Sequence, residues 1–237
     1  MTTTYILRHG QTDYSKQYLV NGDPARAVRL NDEGVRSCRL PWSALSLHSV
    51  HTWMASEFPR AQQTASLLMG AAAPELIVEA RLNELDYGTF EGGPFLEYAS
   101  WLVRQGGAKR PQGARESQRE CIRRMLSGVH AVLEHPGPRV LVCHGLLLSV
   151  LLWHRDRSAH EGMPLFFPEA PYVEPLAVDD EVLRDWLVAL VTGLDGETAQ
   201  DPHARGGVAE LRIDGGSAVA TFEAVDHSPE KKDPRHA

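Results

Sequence analysis

Twice in this chain a short apolar run stops at a histidine followed by a glycine. Tyr5-Ile6-Leu7 leads into Arg8-His9-Gly10, and the run from Arg139 to Cys143 leads into His144-Gly145. Such runs suit buried strands, and glycine permits a turn that bulkier residues resist. Each histidine should therefore stand at the carboxyl end of a strand, where open α/β sheets bind their ligands. A neutral imidazole is a competent nucleophile, and the adjacent Arg8 guanidinium offers forked donors to a dianion such as phosphate. The local reading is phosphoryl transfer through histidine, and it requires partners elsewhere in the chain.

At 237 residues, 43% of them hydrophobic and 23% charged, the chain can bury one substantial core, and one domain over residues 1–225 is the expectation. The formal charge of −7 argues against nucleic-acid or anionic-membrane binding, so any cationic pocket must be local. Cys38, Cys121 and Cys143 have no short paired spacing, which indicates neither a disulfide framework nor a zinc knuckle and fits a reducing cytoplasm. The start, Met1-Thr2-Thr3-Thr4, lacks a basic leader, and the run Leu146 to Trp153 is too short to span a bilayer. The reading is of a cytoplasmic protein with no membrane role.

After the opening strand, residues 13–30 are polar and carry Asn21-Gly22, which reads as a loop beside the site residues, a place where loops commonly contact substrate. Asn31 caps a helix with Val35, Cys38 and Trp42 on its apolar face, kinked or split at Pro41. A strand over Val50–Ala55 runs into a helix that starts at Pro59, which brings Arg60 to a positive helix end suited to an anion. Leu76–Val78 reads as a strand, and residues 81–92 as a glycine-closed loop carrying carboxylates. Residues 116–134 give the clearest helical period, and Pro136-Gly137-Pro138 stops it. Residues 160–178, proline-spaced and aromatic, resist regular structure and read as an ordered lid or packing arm. An amphipathic helix over Asp179–Thr192, a hairpin over Leu211–Phe222 and a disordered tail over 226–237 complete the chain.

Arg8-His9-Gly10, Arg60 within Ser56-Glu57-Phe58-Pro59-Arg60-Ala61-Gln62-Gln63-Thr64-Ala65, Glu84 shortly before Gly88, and His144-Gly145 together resemble the histidine phosphatase (phosphoglycerate mutase-like) superfamily in order and spacing. The resemblance covers residues 5–145; the remainder matches it only loosely. It implies a three-layer α/β/α sandwich around a mostly parallel sheet, with the site at the carboxyl edge. It also implies metal-independent hydrolysis of a small-molecule phosphomonoester without a cofactor. His9 would attack phosphorus and form a phosphohistidine, which requires it unprotonated; cationic neighbours favour that state. Arg8, Arg60 and His144 would clamp the phosphoryl oxygens, with Gly145, Asn21 and Gly22 beside them, and Glu84 would protonate the leaving alkoxide and then activate water. Where many relatives carry an asparagine that touches phosphate, this chain has Ser15, which can still donate a hydrogen bond, and Gln11 stands where glutamate is common. Ser117 after Glu116 resembles the serine that opens a helix in the family.

Other readings compete with these. Glu84 could be a solvated loop carboxylate, with Asp86 the acid. His48, His51, His130, His135, His154 and His160 lack the spacing of a metal cluster, and no G-x-S-x-G elbow supplies a serine nucleophile. On the same fold, the alternatives are a phosphoglycerate mutase-type phosphotransferase or a catalytically silent phosphate-binding protein. The resemblance favours a phosphatase: the mutases carry a long basic insertion that keeps water from the phosphohistidine, and here only Gly93 to Arg115 lies between the acid loop and the next helix. Phe166, Phe167 and Tyr172, with the Trp101 segment, would border the mouth and select an apolar or cyclic leaving group, or else pack against the fold or a dimer partner. A homodimer is left open.

Overall fold

Alternation along three strands decides the architecture. In β1 (Thr3–Arg8), β2 (Thr52–Ala55) and β4 (Arg139–Cys143), successive side chains face opposite sides of the sheet. Ile6, Met54, Leu141 and Cys143 join one buried cluster, while Leu7, Trp53, Ala55, Val140 and Val142 join another. Both faces of these strands are therefore apolar, and both must be covered. With β3 (Leu76–Val78) and β5 (Leu176–Asp179) they form a five-stranded sheet in the order β3-β2-β4-β1-β5, parallel except for β5, which runs antiparallel beside β1. The computed structural model describes residues 2–39, 49–70, 75–157, 162–198, 210–214 and 217–221.

One face is covered by α3 (Pro59–Met69), through Ala61, Ala65 and Leu68, and by the end of α2 (Asp32–Ser37). The other carries α4 (Phe95–Gln105), α5 (Gln118–Val132), α6 (Gly145–Asp156) and α7 (Asp180–Thr198). A single turn, α1 (Asp13–Lys16), interrupts the loop read over 13–30. The result is an α/β/α sandwich around a mostly parallel sheet. Cys38, Cys121 and Cys143 are buried free thiols. No helix among the described residues is long and apolar enough to cross a membrane.

Several boundaries differ from the sequence reading. Residues 160–178 are not irregular throughout: after Pro175, Leu176 and Val178 turn inward while Ala177 and Asp179 face out, so the end of the arm pairs with β1 as an edge strand. Proline is tolerated just before such a strand because it has no ladder bond to lose there. The α4 helix lies in a stretch whose sequence reads only as a connection. The α6 helix is hidden in sequence because Leu146 to Trp153 is apolar nearly all round, which leaves no helical period to read. The last helix runs on to Thr198, past the expected end at Thr192. The expected hairpin forms a separate two-stranded sheet, β6 (Glu210–Asp214) with β7 (Ser217–Thr221). Asn31 caps α2 by accepting from the Gly34 amide, whereas Pro41, Trp42, His48 and the segment 226–237 lie outside the described residues.

Candidate active site

Because β1 and β4 are parallel neighbours with Arg8 opposite Cys143, the two strand-end histidines emerge side by side. The His9 amide closes the register by donating to the Cys143 carbonyl at 3.0 Å, and the rings meet edge to face with centroids 5.2 Å apart. Pro59 starts α3 at its first position, so Arg60 falls in the first turn and its side chain enters between the two rings. One turn later, Thr64 Oγ1 accepts from the Gly10 amide and donates to the Arg60 carbonyl, which locks the turn after His9 to the helix that carries Arg60. His9, Arg60 and His144 are all buried.

The hydrogen bonds fix the protonation of both rings. His9 Nδ1 lies 2.7 Å from the Gly10 carbonyl, which can only accept, so the proton sits on Nδ1 and Nε2 keeps its lone pair. Arg60 Nε, which can only donate, points at that lone pair from 2.9 Å. In the same way Arg60 Nη2 donates to His144 Nδ1, which leaves His144 Nε2–H to donate to Ser56 Oγ at 2.7 Å. Burial, then the charges of Arg60 and Arg8, hold the His9 pKa well below the usual imidazole range. Burial and Arg60 do the same for His144. Arg60 itself is lowered by burial to about 10 and is still charged at neutral pH.

Glu84 shares a cavity of about 630 Å³ with Arg8, His9 and Arg60. Its Oε1 accepts from the Leu85 amide, yet burial outweighs that bond and the nearby arginines, and its pKa is raised. Arg124 of α5 donates to the backbone carbonyls of Arg81, Asn83 and Glu84, while Glu116 holds its guanidinium. The acid loop is thus fixed to the clearest helix of the chain. Asp86 is placed differently: burial pushes its carboxyl up, but bonds from the Arg115 and Gly88 amides and from Arg115 Nε prevail and hold it low. Asp86 is absent from the cavity wall and is poorly suited to be the acid.

Arg8 is held from the arm. Its guanidinium donates to the Ala170 carbonyl at 2.8 Å, Glu169 at 3.3 Å and the Tyr172 hydroxyl at 2.9 Å, and lies 3.8 Å over the Tyr172 ring. Its Nε–H is buried and finds no acceptor. A Cβ on residue 145 would stand 3.4 Å from that nitrogen, so Gly145 keeps space beside it. Gly145 also opens α6, whose positive end meets the same cavity.

The remaining expected contacts are committed to neighbouring groups, although Asn21 and Ser15 also line the cavity. Asn21 presents its side-chain and backbone oxygens to Arg60, and Gly22 gives its amide to Glu91 Oε2 at 2.7 Å. Ser15 reaches the cavity wall, but its one hydroxyl proton goes to the Thr12 carbonyl in the cap of α1. Ser117 caps α5 in a reciprocal box with Glu120. Sequence reasoning missed Glu91, which also takes the Asn21 amide at 2.8 Å and so turns Asn21 Oδ1 toward Arg60. It lies among the carboxylates of one loop, and nothing in its spacing marks its partner. Phe166 and Phe167 line the cavity, whereas Trp101 is absent from its wall and stacks on Tyr98.

Residues 4–168 match the family model of the histidine phosphatase superfamily, branch 1. The "Probable phosphoglycerate mutase GpmB" of Yersinia pestis (strain Pestoides F) is 29% identical over 162 residues, 64% of this chain and 74% of that protein. Among solved structures, a phosphoglycerate mutase from Thermus thermophilus matches at a TM-score of 0.54 and 24% identity, over 75% of this chain and 93% of that one. A mycobacterial glucosyl-3-phosphoglycerate phosphatase matches at 0.51 and 22% identity, over 65% of this chain and 81% of that one. At these identities the structural likeness shows the fold.

Proposed function

The chain belongs to the histidine phosphatase superfamily, and from that premise we propose that it is a metal-independent phosphomonoesterase that works through a phosphohistidine on His9. The observation that carries the reading is the state of His9: a buried, neutral ring, protonated on Nδ1, with its Nε2 lone pair turned toward a fixed guanidinium. A phosphoryl group bound there draws the Arg60 N–H onto its own oxygens, which are stronger acceptors, and frees Nε2 for in-line attack. The unpaired Arg8 Nε–H and the amino end of α6 supply further positive charge to the equatorial oxygens.

In the first step the Nε2–P bond forms as the ester P–O bond breaks, and Glu84, its pKa raised by burial, gives its proton to the departing alkoxide. In the second, Glu84 takes a proton from water as the water oxygen attacks phosphorus and His9 leaves neutral. Phosphoryl transfer to a second phosphoglycerate is the alternative raised by the names of the mutase relatives; it differs only in the acceptor. Hydrolysis of p-nitrophenyl phosphate in EDTA tests the reading. Wild-type protein should turn over undiminished by the chelator and His9→Ala should be inactive; equal rates for the two proteins, or abolition by EDTA, would contradict it.

A further inference from the structure

The cationic end of the cavity accounts for a phosphate, and the leaving group must fill the rest. Its volume of about 630 Å³ lies within the range of small-molecule sites, roughly 300–1,000 Å³. Among the described residues, Arg8 and Arg60 are the only arginines or lysines in its wall, and the other formal charges there are the carboxylates of Glu84 and Glu169. Much of the remaining wall is hydrocarbon and aromatic, supplied by Val20, Leu85, Leu102, Leu146, Phe166 and Phe167.

A carboxylate or second phosphate on the leaving group would find no further cation: beyond Arg8 and Arg60 the wall offers it those acids, apolar surface and neutral groups such as the Thr12, Tyr98 and Ser149 hydroxyls and the Gln118 amide. Arg8 offers it little, since two of its nitrogens already serve Ala170, Glu169 and Tyr172, and Arg60 is bound to His9, Asn21 and His144. An ion moved there gives up its hydration with only neutral donors, and no uncommitted opposite charge, to replace it. A hydrocarbon group gains in proportion to the area it buries. Resting on the phosphomonoesterase reading, we infer that the substrate is the phosphate ester of an uncharged, predominantly apolar alcohol of some bulk, and that phosphorylated hydroxy acids are poor substrates. Phe166 and Phe167, delivered by the arm, make that selection.

A homologous series of ethyl, butyl and hexyl phosphate tests this, because the leaving alkoxides differ little in basicity and the slope reports the pocket alone. For wild-type protein, kcat/KM should rise roughly threefold per added methylene, and 3-phosphoglycerate should fall below butyl phosphate by about tenfold or more. In the double variant Phe166→Ala/Phe167→Ala the slope should flatten. A flat wild-type series, a preference for 3-phosphoglycerate, or a variant that lowers every ester by one common factor would overturn the inference while leaving the phosphatase intact. Failure to turn over any ester, with no phosphate appearing on His9, would instead remove the phosphatase reading and the inference with it.

Discussion

Glu84 and His9 are pushed in opposite directions by the same cause. Burial disfavours the charged form of each, so the carboxyl holds its proton to higher pH than usual and the imidazole loses its proton at lower pH. The two states needed for the first step, neutral base and neutral acid, therefore coexist over a wider interval than free side chains would allow. With decreasing pH, kcat/KM should fall as His9 takes up a proton; with increasing pH it should fall as Glu84 gives one up. Glu84→Gln should remove the alkaline limb, leave the acid limb, and cost alkyl phosphates on the order of 10²–10⁴ in kcat/KM. p-Nitrophenyl phosphate should lose less in phosphoenzyme formation, because its phenolate leaves without a proton. Equal losses in that step for both ester classes, or an alkaline limb that persists, would assign the proton to another group. His9, Arg60, Glu84 and His144 were legible because each ends a strand, opens a helix or sits in a glycine-closed loop. The tautomers were not, since they depend on a carbonyl and a guanidinium that only the folded chain brings near.

At the scale of elements, two loops must register against each other before Arg60 is aimed. The Val20 amide donates to the Gly93 carbonyl and the Gly92 amide to that of Val20, which places Asn21-Gly22 beside the acid loop. A Cβ on Gly22 would fall inside the van der Waals shell of the Leu85 carbonyl oxygen, so only glycine allows the approach. Glu91 closes the junction with one oxygen on each donor. In Glu91→Gln, one of the two N–H donors must face an amide nitrogen, and an unsatisfied polar group of this kind costs about 1–3 kcal/mol. The expected result is a loss of kcat/KM of roughly tenfold, with the unfolding temperature shifted by only a few degrees; an unchanged kcat/KM would show that Arg60 does not depend on this junction. Such pairings were invisible in sequence because the partners sit far apart in the chain and share no period. The arm was partly legible: Phe166 and Phe167 reach the cavity, whereas Tyr172 is absent from its wall and packs against Arg8, and the grip on Arg8 through a backbone carbonyl leaves no trace in residue type.

Across the whole molecule, the sheet separates two kinds of buried charge. At the amino end of β4, Arg139 and Asp180 form a buried ion pair, both bonded to Thr4, and so complete one another. At the carboxyl end, Arg8 and Arg60 stand among histidines, and among the described residues no acid forms a buried pair with Arg60; the nearest fixed bond to a carboxylate is that of Arg8 to Glu169, whose side chain is 43% exposed. A buried guanidinium such as that of Arg60, bonded to imidazoles and an amide but to no carboxylate, is a standing demand for an anion. The repeated strand-histidine-glycine pattern revealed where that demand would lie, since two parallel neighbours deliver both rings to one edge. On the proposed function, that anion is a phosphoryl group carried by His9 and given up to water. Rapid-quench sampling of the first turnover with ³²P-labelled ester tests it most directly. An acid-labile, base-stable phosphate should appear on His9, decay at the rate of turnover, ignore added 3-phosphoglycerate and be missing in His9→Ala. Absence of any phosphoenzyme, or one that persists in water and is discharged rapidly by 3-phosphoglycerate, would contradict it.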